Sequence, residues 1–354
     1  MSEKEIKKEV KMKPGVSVDV GTSFICTTRC TEENVFINRF HRNALYEMDI
    51  TDESADLLER SNYFFIKTQD KYYVLGEDSI SLVNAIGKGN IIRPMKDGLL
   101  SPNLTNASDL LFQIIKTVVG NPIVPNESLR YTVPAASVDI DNNNLFHQTV
   151  LGSFFTKMGY SAKPVNEAMC VIYDCNPIMK NSEGEVPLTG IGISFGAGMV
   201  NVSASFKGLS LAEFSCTKSG DNIDEQVEKV CGVSRNKIVK IKEKKLDLNN
   251  VDASDRIQTA LSIYYDEMIS RVVHHIVNKF KDLGSEMDGE IEIVIAGGTS
   301  KVPGMVDRFE AAIKKSNMPF KIYGVRKAND VFFSVSQGAV IRAISDAQRL
   351  QKSK

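Results

Sequence analysis

The chain has 354 residues, long for a single hydrophobic core and sufficient for two domains. Hydrophobic residues make up 42% and charged residues 25%, the balance expected of a globular protein in water. With 43 basic and 44 acidic side chains the net charge is −1, which removes any global electrostatic case for nucleic acid or an anionic membrane.

The opening MSEKEIKKEVKMK reads as a charged flexible tail over 1–14; Ile6, Val10 and Met12 are too few for a strong membrane anchor. No apolar run approaches the length of a membrane span, and no signal-peptide pattern opens the chain, so a cytoplasmic location is expected. Cys26, Cys30, Cys170, Cys175, Cys216 and Cys231 lack CxxC pairing and read as structural thiols of a reducing compartment. His41, His147, His274 and His275 add no zinc pattern.

In chain order, Val16–Val20 reads as a strand and Phe24–Thr28 as its hairpin partner. Residues from about Phe40 to Gly89 form a small insertion with strands at Tyr63–Ile66 and Tyr72–Leu75. RPMKDGLL (Arg93–Leu100) is a structural turn whose Asp97–Gly98 suits positive φ. Leu110, Leu111, Ile114, Ile115 and Val118 recur at helical spacing until Gly120–Asn121–Pro122 stops them. Tyr131–Val133 is a short buried strand. Asn142–Met158 is an amphipathic helix with Leu145, Phe146, Val150, Leu151, Phe154 and Phe155 on its apolar face.

Val186–Phe206 gives strand, turn and strand around Gly196 and Gly198. Cys216–Val251 is mainly helical, with Val227 and Val230 facing inward. A long helix at Ala260–Phe280 carries Leu261, Ile263, Met268, Ile269, Val272, Ile276 and Val277 in its apolar stripe. Ile291–Ile295 is a β-branched run suited to a buried parallel strand, and Val335–Leu350 is a closing helix. This alternation defines an α/β architecture whose halves share a layout, and no short-period repeat supports a solenoid.

Three glycine turns carry the chemistry: VSVDVGTS (Val16–Ser23), GISFGAGMV (Gly192–Val200) and VIAGGTSKVPG (Val294–Gly304). Each puts small residues at the end of an apolar run, where backbone N–H groups can approach phosphate closely. With VNEAMCVIYD (Val165–Asp174), SGDNIDEQV (Ser219–Val227), KIVKIKEKKL (Lys237–Leu246) and GGTSKVPGMVDRF (Gly297–Phe309), they make the chain resemble the actin-fold ATPase superfamily. The likeness runs from Val16 to about Ala343 and is nearest to bacterial and archaeal actin-like filament proteins of the MreB and MamK type.

That resemblance implies an actin-like, ribonuclease-H-like duplicated two-domain α/β fold with a nucleotide in the interdomain cleft. Domain I would span 15–164 and 335–354, with its insertion at about 40–90. Domain II would span 165–334, with an insertion at about 220–287. Gly21, Thr22, Ser23, Gly196, Ala197 and Gly198 would bind phosphate. Gly220, Asp221, Lys242, Glu243, Gly297, Gly298, Thr299 and Lys301 would bind the nucleoside. Asp221 is expected to anchor a basic residue near the ribose, and Pro303 to open the next helix. Asp19 would hold Mg²⁺ through water. Glu167, in the first turn of a helix capped by Asn166, would orient the attacking water or take its proton.

One motif departs from the family pattern. Ser194 stands where an aspartate is usual, and Met199, Val200 and Asn201 replace a Thr-Thr-Asp run, so Ser194 is a weak contributor to the metal and turnover suffers more than binding. The expected protein is a cytoskeletal ATPase that binds ATP or ADP with Mg²⁺, self-associates into filaments and serves an unidentified cargo or adaptor. The alternative is a non-polymerising actin-fold adaptor that regulates a partner complex. No nucleic-acid partner is expected.

Overall fold

The β-branched run entering the first glycine turn is buried on both faces, with Val16, Ser17 and Val18 wholly inaccessible, as suits the centre of a sheet. The computed structural model describes residues 10–87, 89–100, 105–141, 144–175, 179–181, 184–186, 188–283, 287 and 290–352. Residues 1–9 of the expected tail, and Asn142 and Asn143 at the start of an expected helix, lie outside the described residues.

The first half begins with β1 (Met12–Val20), which starts inside the expected tail, then β2 (Phe24–Thr31) and β3 (Phe36–Arg42). Next come β4 (Leu45–Asp49), α1 (Asp52–Arg60), β5 (Phe65–Lys67), β6 (Lys71–Leu75) and α2 (Gly76–Ile86). The short hairpin β7 (Met95–Lys96) and β8 (Leu99–Leu100) leads to α3 (Thr105–Val119), β9 (Ser128–Val133), α4 (Asn144–Lys157) and β10 (Ser161–Asn166). Helix α5 (Glu167–Cys175) and the hairpin β11 (Met179–Asn181) and β12 (Gly184–Val186) open the second half. Strands β13 (Gly190–Phe195), β14 (Val200–Phe206) and β15 (Leu209–Cys216) follow, then helices α6 (Gly220–Cys231), α7 (Arg235–Lys244) and α8 (Arg256–Lys279). The chain closes with β16 (Glu290–Ala296), α9 (Met305–Lys314), β17 (Lys321–Lys327) and α10 (Ser334–Lys352).

Two five-stranded sheets result, in the orders β10-β9-β1-β2-β3 and β17-β16-β13-β14-β15. Numbered within its own half, each sheet runs 5-4-1-2-3. Pairing directions match as well. β1 runs antiparallel to β2 and parallel to β9, while β13 runs antiparallel to β14 and parallel to β16. The shared layout read from the sequence is therefore a duplication of topology. A third sheet, β4-β6-β5, sits in the insertion of the first half and has its own small core around Leu58, Tyr72, Val74 and Leu82.

Helices α5 and α10 form the seam between the halves. α10 packs on β1 and β9, α5 packs on β13 and β14, and the two helices pack on one another. Their contact is close because Gly338 lies against the backbone of α5: a Cβ there would stand 1.8 Å from the Cys170 carbonyl oxygen. Gly192 similarly lets β13 pass beneath α5, where a Cβ would come within 2.5 Å of the Ala168 carbonyl.

Three expectations for helix faces need correction. In α4 the buried residues are His147, Leu151 and Phe155, one per turn, whereas Leu145 is 72% exposed and Phe146 45%. In α8 Ile263 is 59% exposed, because it lies about 200° around the helix from the buried Leu261. In α6 the buried stripe is Gly220, Ile223, Asp224 and Val227, leaving Val230 outside.

Burial of His147 has a measurable consequence. Its Nδ1 accepts the Leu100 N–H at 3.2 Å, and loss of solvent pushes its pKa down to about 4. The folded state thus binds this proton less tightly than the unfolded chain does. The resulting stability is fully present above the ordinary histidine pKa of about 6.5 and is lost as pH falls toward 4. Buried acids such as Asp174, raised to about 6, act in the opposite sense, so the histidine must be isolated by comparison. His147→Asn, which retains an acceptor, should remove about 3 kcal/mol of pH-dependent loss between pH 6.5 and 4 in urea titrations. Parallel pH profiles for the two proteins would contradict this assignment.

Candidate functional site

A cleft of about 740 Å³ opens between the two sheets, within the usual range of small-ligand sites. All three glycine turns reach it. Asp19, Gly21, Thr22 and Ser23 line it from the first half; Ser194, Gly196, Ala197 and Gly198 face them from the second. Gly297, Gly298, Thr299 and Lys301 supply a further wall, and Glu167, Asp221, Lys242 and Glu243 complete the expected set. Gly220 alone among the expected residues is absent from the lining.

The first two turns are copies of one another. Gly21 N–H donates to the Phe24 carbonyl at 2.9 Å and Gly196 N–H to the Met199 carbonyl at 3.0 Å, each closing a hairpin. Both N–H groups are therefore committed within the protein, which corrects the expectation that these two glycines offer donors to phosphate. Among the described residues, the N–H groups of Thr22, Ser23, Ala197 and Gly198 have no protein acceptor and can face an anion. The turns also touch. A Cβ on Gly198 would stand 2.4 Å from Thr22 Oγ1 and 2.5 Å from the Gly98 nitrogen, and Gly98 N–H donates to Thr22 Oγ1 at 3.1 Å.

At the base of the cleft lie two carboxylates. Thr132 Oγ1 donates to Asp19 Oδ1 at 2.7 Å; burial raises the Asp19 pKa to about 6, and this hydrogen bond opposes the rise. Glu167 is pushed up to about 8, first by burial and then by the charge of Asp19, while hydrogen bonds from Asn201 and Ser194 pull it down. Asn201 Nδ2 donates to Glu167 Oε2 at 3.0 Å, and Asn201 Oδ1 accepts the Ala135 N–H at 3.0 Å. That second bond fixes which way the amide faces. Ser194, read from sequence as a lost acid, thus supplies a hydrogen bond to Glu167. Among the described residues no group of three or more His, Cys, Asp or Glu side chains could hold a metal ion by itself.

Charge pairs span the cleft toward its mouth. Asp221 receives Arg93 Nη1 at 2.7 Å and Arg235 Nη2 at 3.0 Å, and these guanidinium groups hold its pKa below the usual carboxylate range despite its burial. Asp221 therefore does anchor basic residues. One of them, Arg93, comes from a segment read as purely structural; the turn beside it, Asp97–Gly98, does take positive φ at 49° and 73°. Glu243 pairs with Arg42 at 3.6 Å, and Lys242 Nζ with Asp224 Oδ2 at 2.7 Å. Burial raises the Asp224 pKa, and Lys242 opposes the rise.

Gly220 lies behind this wall. Its missing Cβ leaves room for Thr299 Oγ1, which would otherwise stand 2.4 Å away, and its carbonyl accepts from Lys242 Nζ at 3.2 Å. Thr299 Oγ1 itself donates to the Gly196 carbonyl at 2.7 Å, joining the second and third turns. Gly297, at φ 92°, passes within 2.3 Å of the Phe195 carbonyl, counted from the position of a Cβ. By contrast a Cβ on Gly298 would meet nothing within 4 Å, so this glycine keeps the cleft wall open. Pro303 does not begin α9: that helix starts at Met305 with Gly304 as its cap, and the Pro303 carbonyl accepts the Leu248 N–H.

Aromatic residues missed in the sequence lie in the same cleft. Phe332 makes edge contacts with Phe24, Phe40 and Phe333 at centroid distances of 5.0, 5.4 and 4.8 Å, and Lys301 Nζ lies 5.6 Å from its ring centre. They are spread over three segments and follow no motif that spacing could expose.

Two topologically equal halves with paired glycine turns facing one cleft make up an actin-like fold. The same fold is found in solved structures of MreB and MamK proteins. The chain belongs to the Volactin family, whose profile matches residues 12–343. MreB5 of Spiroplasma citri bound to AMPPNP superposes with a TM-score of 0.68 at 13% identity, covering 96% of this chain and 98% of the other. The ethanolamine utilization protein EutJ of Carboxydothermus hydrogenoformans gives 0.54 at 13% identity, with 94% and 92% covered. A non-polymerising mutant of MamK bound to AMPPNP gives 0.52 at 16%, with 93% and 98% covered. No curated protein matches the chain by sequence. Among the described residues no helix is long and apolar enough to cross a membrane.

Proposed function

We propose that the protein binds ATP or ADP with Mg²⁺ in the cleft, assembles into filaments, and hydrolyses ATP slowly. The observation that carries this reading is the convergence of three separated glycine turns on one cleft, with free N–H groups on two of them. MreB5 and MamK structures of the same fold hold AMPPNP, which supports the choice of ligand.

Thr22, Ser23, Ala197 and Gly198 take the phosphates. Gly298 and Lys301 flank the nucleoside, and Gly220 and Thr299 hold the loops together behind it. Asp19 and Glu167 fit a hydrated Mg²⁺ that arrives with the phosphates. They are half-buried and mutually repelling, a pair whose ionised forms a cation would favour, and no preformed three-ligand cage competes among the described residues. Mg²⁺ would neutralise charge on the phosphate oxygens. Glu167, fixed by Asn201, has its pKa raised to about 8 and holds its proton at pH 7 without a cation; a nearby Mg²⁺ would favour the carboxylate, the form that can orient a water or accept its proton.

Electron microscopy and light scattering of the purified chain test assembly. With Mg·ATP, filaments are expected at micromolar protein and are absent without nucleotide. A monodisperse monomer at tens of micromolar across salt and divalent-ion conditions would instead favour the adaptor alternative.

A further inference from the structure

The two facing glycine turns are closed within themselves and also held from outside the cleft. Behind the first, Asn43 immediately follows β3 and is wholly buried. Its Nδ2 donates to the Gly21 carbonyl at 3.0 Å, and its backbone N–H donates to the Ser23 carbonyl at 2.9 Å. Behind the second, Ser219 comes shortly after β15, the matching strand of the other half, and is equally buried. Its Oγ donates to the Gly196 carbonyl at 2.6 Å, and Thr299 Oγ1 shares that carbonyl at 2.7 Å. Neither Asn43 nor Ser219 lines the cleft.

Peptide planarity turns these contacts into an aiming device. A trans peptide holds its C=O and the next residue's N–H on opposite sides of one rigid plane. Tying the Gly21 carbonyl back to Asn43 therefore points the Thr22 N–H the other way, toward the cleft. Tying the Gly196 carbonyl to Ser219 and Thr299 does the same for the Ala197 N–H. Both N–H groups are among those without a protein acceptor. The Asn43 amide does little for folding, because its Oδ1 has no hydrogen-bond partner among the described residues and an unpaired buried polar atom is costly. What it secures is the turn.

We infer that Asn43 and Ser219 are equivalent positioning residues, one behind each turn, that aim the Thr22 and Ala197 N–H groups at a phosphate chain before it arrives. Donors ordered in advance bind an anion without losing freedom at that moment. This inference rests on the nucleotide reading of the cleft and extends it to residues that touch no nucleotide.

Competition binding of Mg·ATP, Mg·ADP and adenosine to the full chain tests it. Asn43→Ala should weaken ATP and ADP about 10-fold, the scale of one hydrogen bond to a charged group. Adenosine, which has no phosphate, should bind the variant and the parent within about twofold of one another. Ser219→Ala should weaken the two nucleotides by about threefold or less, since Thr299 still holds the Gly196 carbonyl. Should Asn43→Ala fail to fold, Asn43→Leu, similar in volume and without a donor, serves in its place with the same split expected. Unchanged ATP affinity in a folded Asn43 variant would overturn the inference. So would an equal loss for ATP and adenosine, the mark of a cleft deformed as a whole. Either result leaves the nucleotide reading intact, whereas absence of ATP binding by the unaltered chain would overturn both.

Discussion

Glu167→Gln should lower single-turnover phosphate release by about 10²-fold or more while Mg·ATP affinity stays within a few fold. The amide can still accept from Asn201 Nδ2 but can neither take a proton nor orient a water as a carboxylate does. A second effect distinguishes this from a merely structural lesion. Because burial and Asp19 raise the Glu167 pKa to about 8, the folded state binds that proton more tightly than the unfolded chain. Ionising Glu167 therefore costs folding free energy, increasingly as pH rises from the ordinary carboxylate range through the folded value. The glutamine variant escapes this cost and should be more stable than the parent without nucleotide at pH 7 and above. Unchanged phosphate release, or a destabilised variant, would remove Glu167 from the proposed role.

Gly338→Ala should be the most damaging single-methyl substitution at the seam. The added carbon would stand 1.8 Å from the Cys170 carbonyl, a backbone atom that no rotamer change can move. Helix α10 must then lift from α5, opening contacts among Met169, Cys170, Val335 and Ala339. Overpacking against backbone costs about 3 kcal/mol. Because α10 is seated on the first sheet and α5 on the second, the shift also changes how the two walls of the cleft face each other. Urea unfolding should show the loss directly, and Mg·ATP affinity should fall with it. A variant as stable as the parent would mean the seam is more pliable than its geometry indicates.

Much of the site was legible because its parts are local. A glycine turn at the end of an apolar strand announces itself within a few residues, and the set from Asp19 to Lys301 converges on one cleft with only Gly220 set behind the wall. Local pattern could not reveal what distant partners do. It read the glycines of the first two turns as equal donors, whereas hairpin closure consumes the N–H groups of Gly21 and Gly196. It took Ser194 only as a weak metal contributor in place of an acid, since its hydrogen bond to Glu167 joins residues of different elements. Arg93 looked structural because its partner, Asp221, lies in the opposite half.

The fold shows the same division. Central strands such as β1 and β16 carry β-branched residues in close succession and were readable. The edge strands β3, β10, β15 and β17 are half exposed and lack such runs; SAKPVN in β10 carries a proline and little apolar surface, yet pairs with β9 along its whole length. Membership of a sheet there is decided by the neighbour, not by the strand's own residues. The equal order of the two sheets was visible only once these edges were in place.

Calorimetric titration of the nucleotide-free chain with Mg·ATP bears most directly on the cleft. Saturable binding of one nucleotide per chain is expected, with a rise in melting temperature and loss of both in Gly298→Val, whose side chain would project into open cleft rather than into protein. Failure to bind ATP or ADP at millimolar concentration by a folded chain would contradict the account.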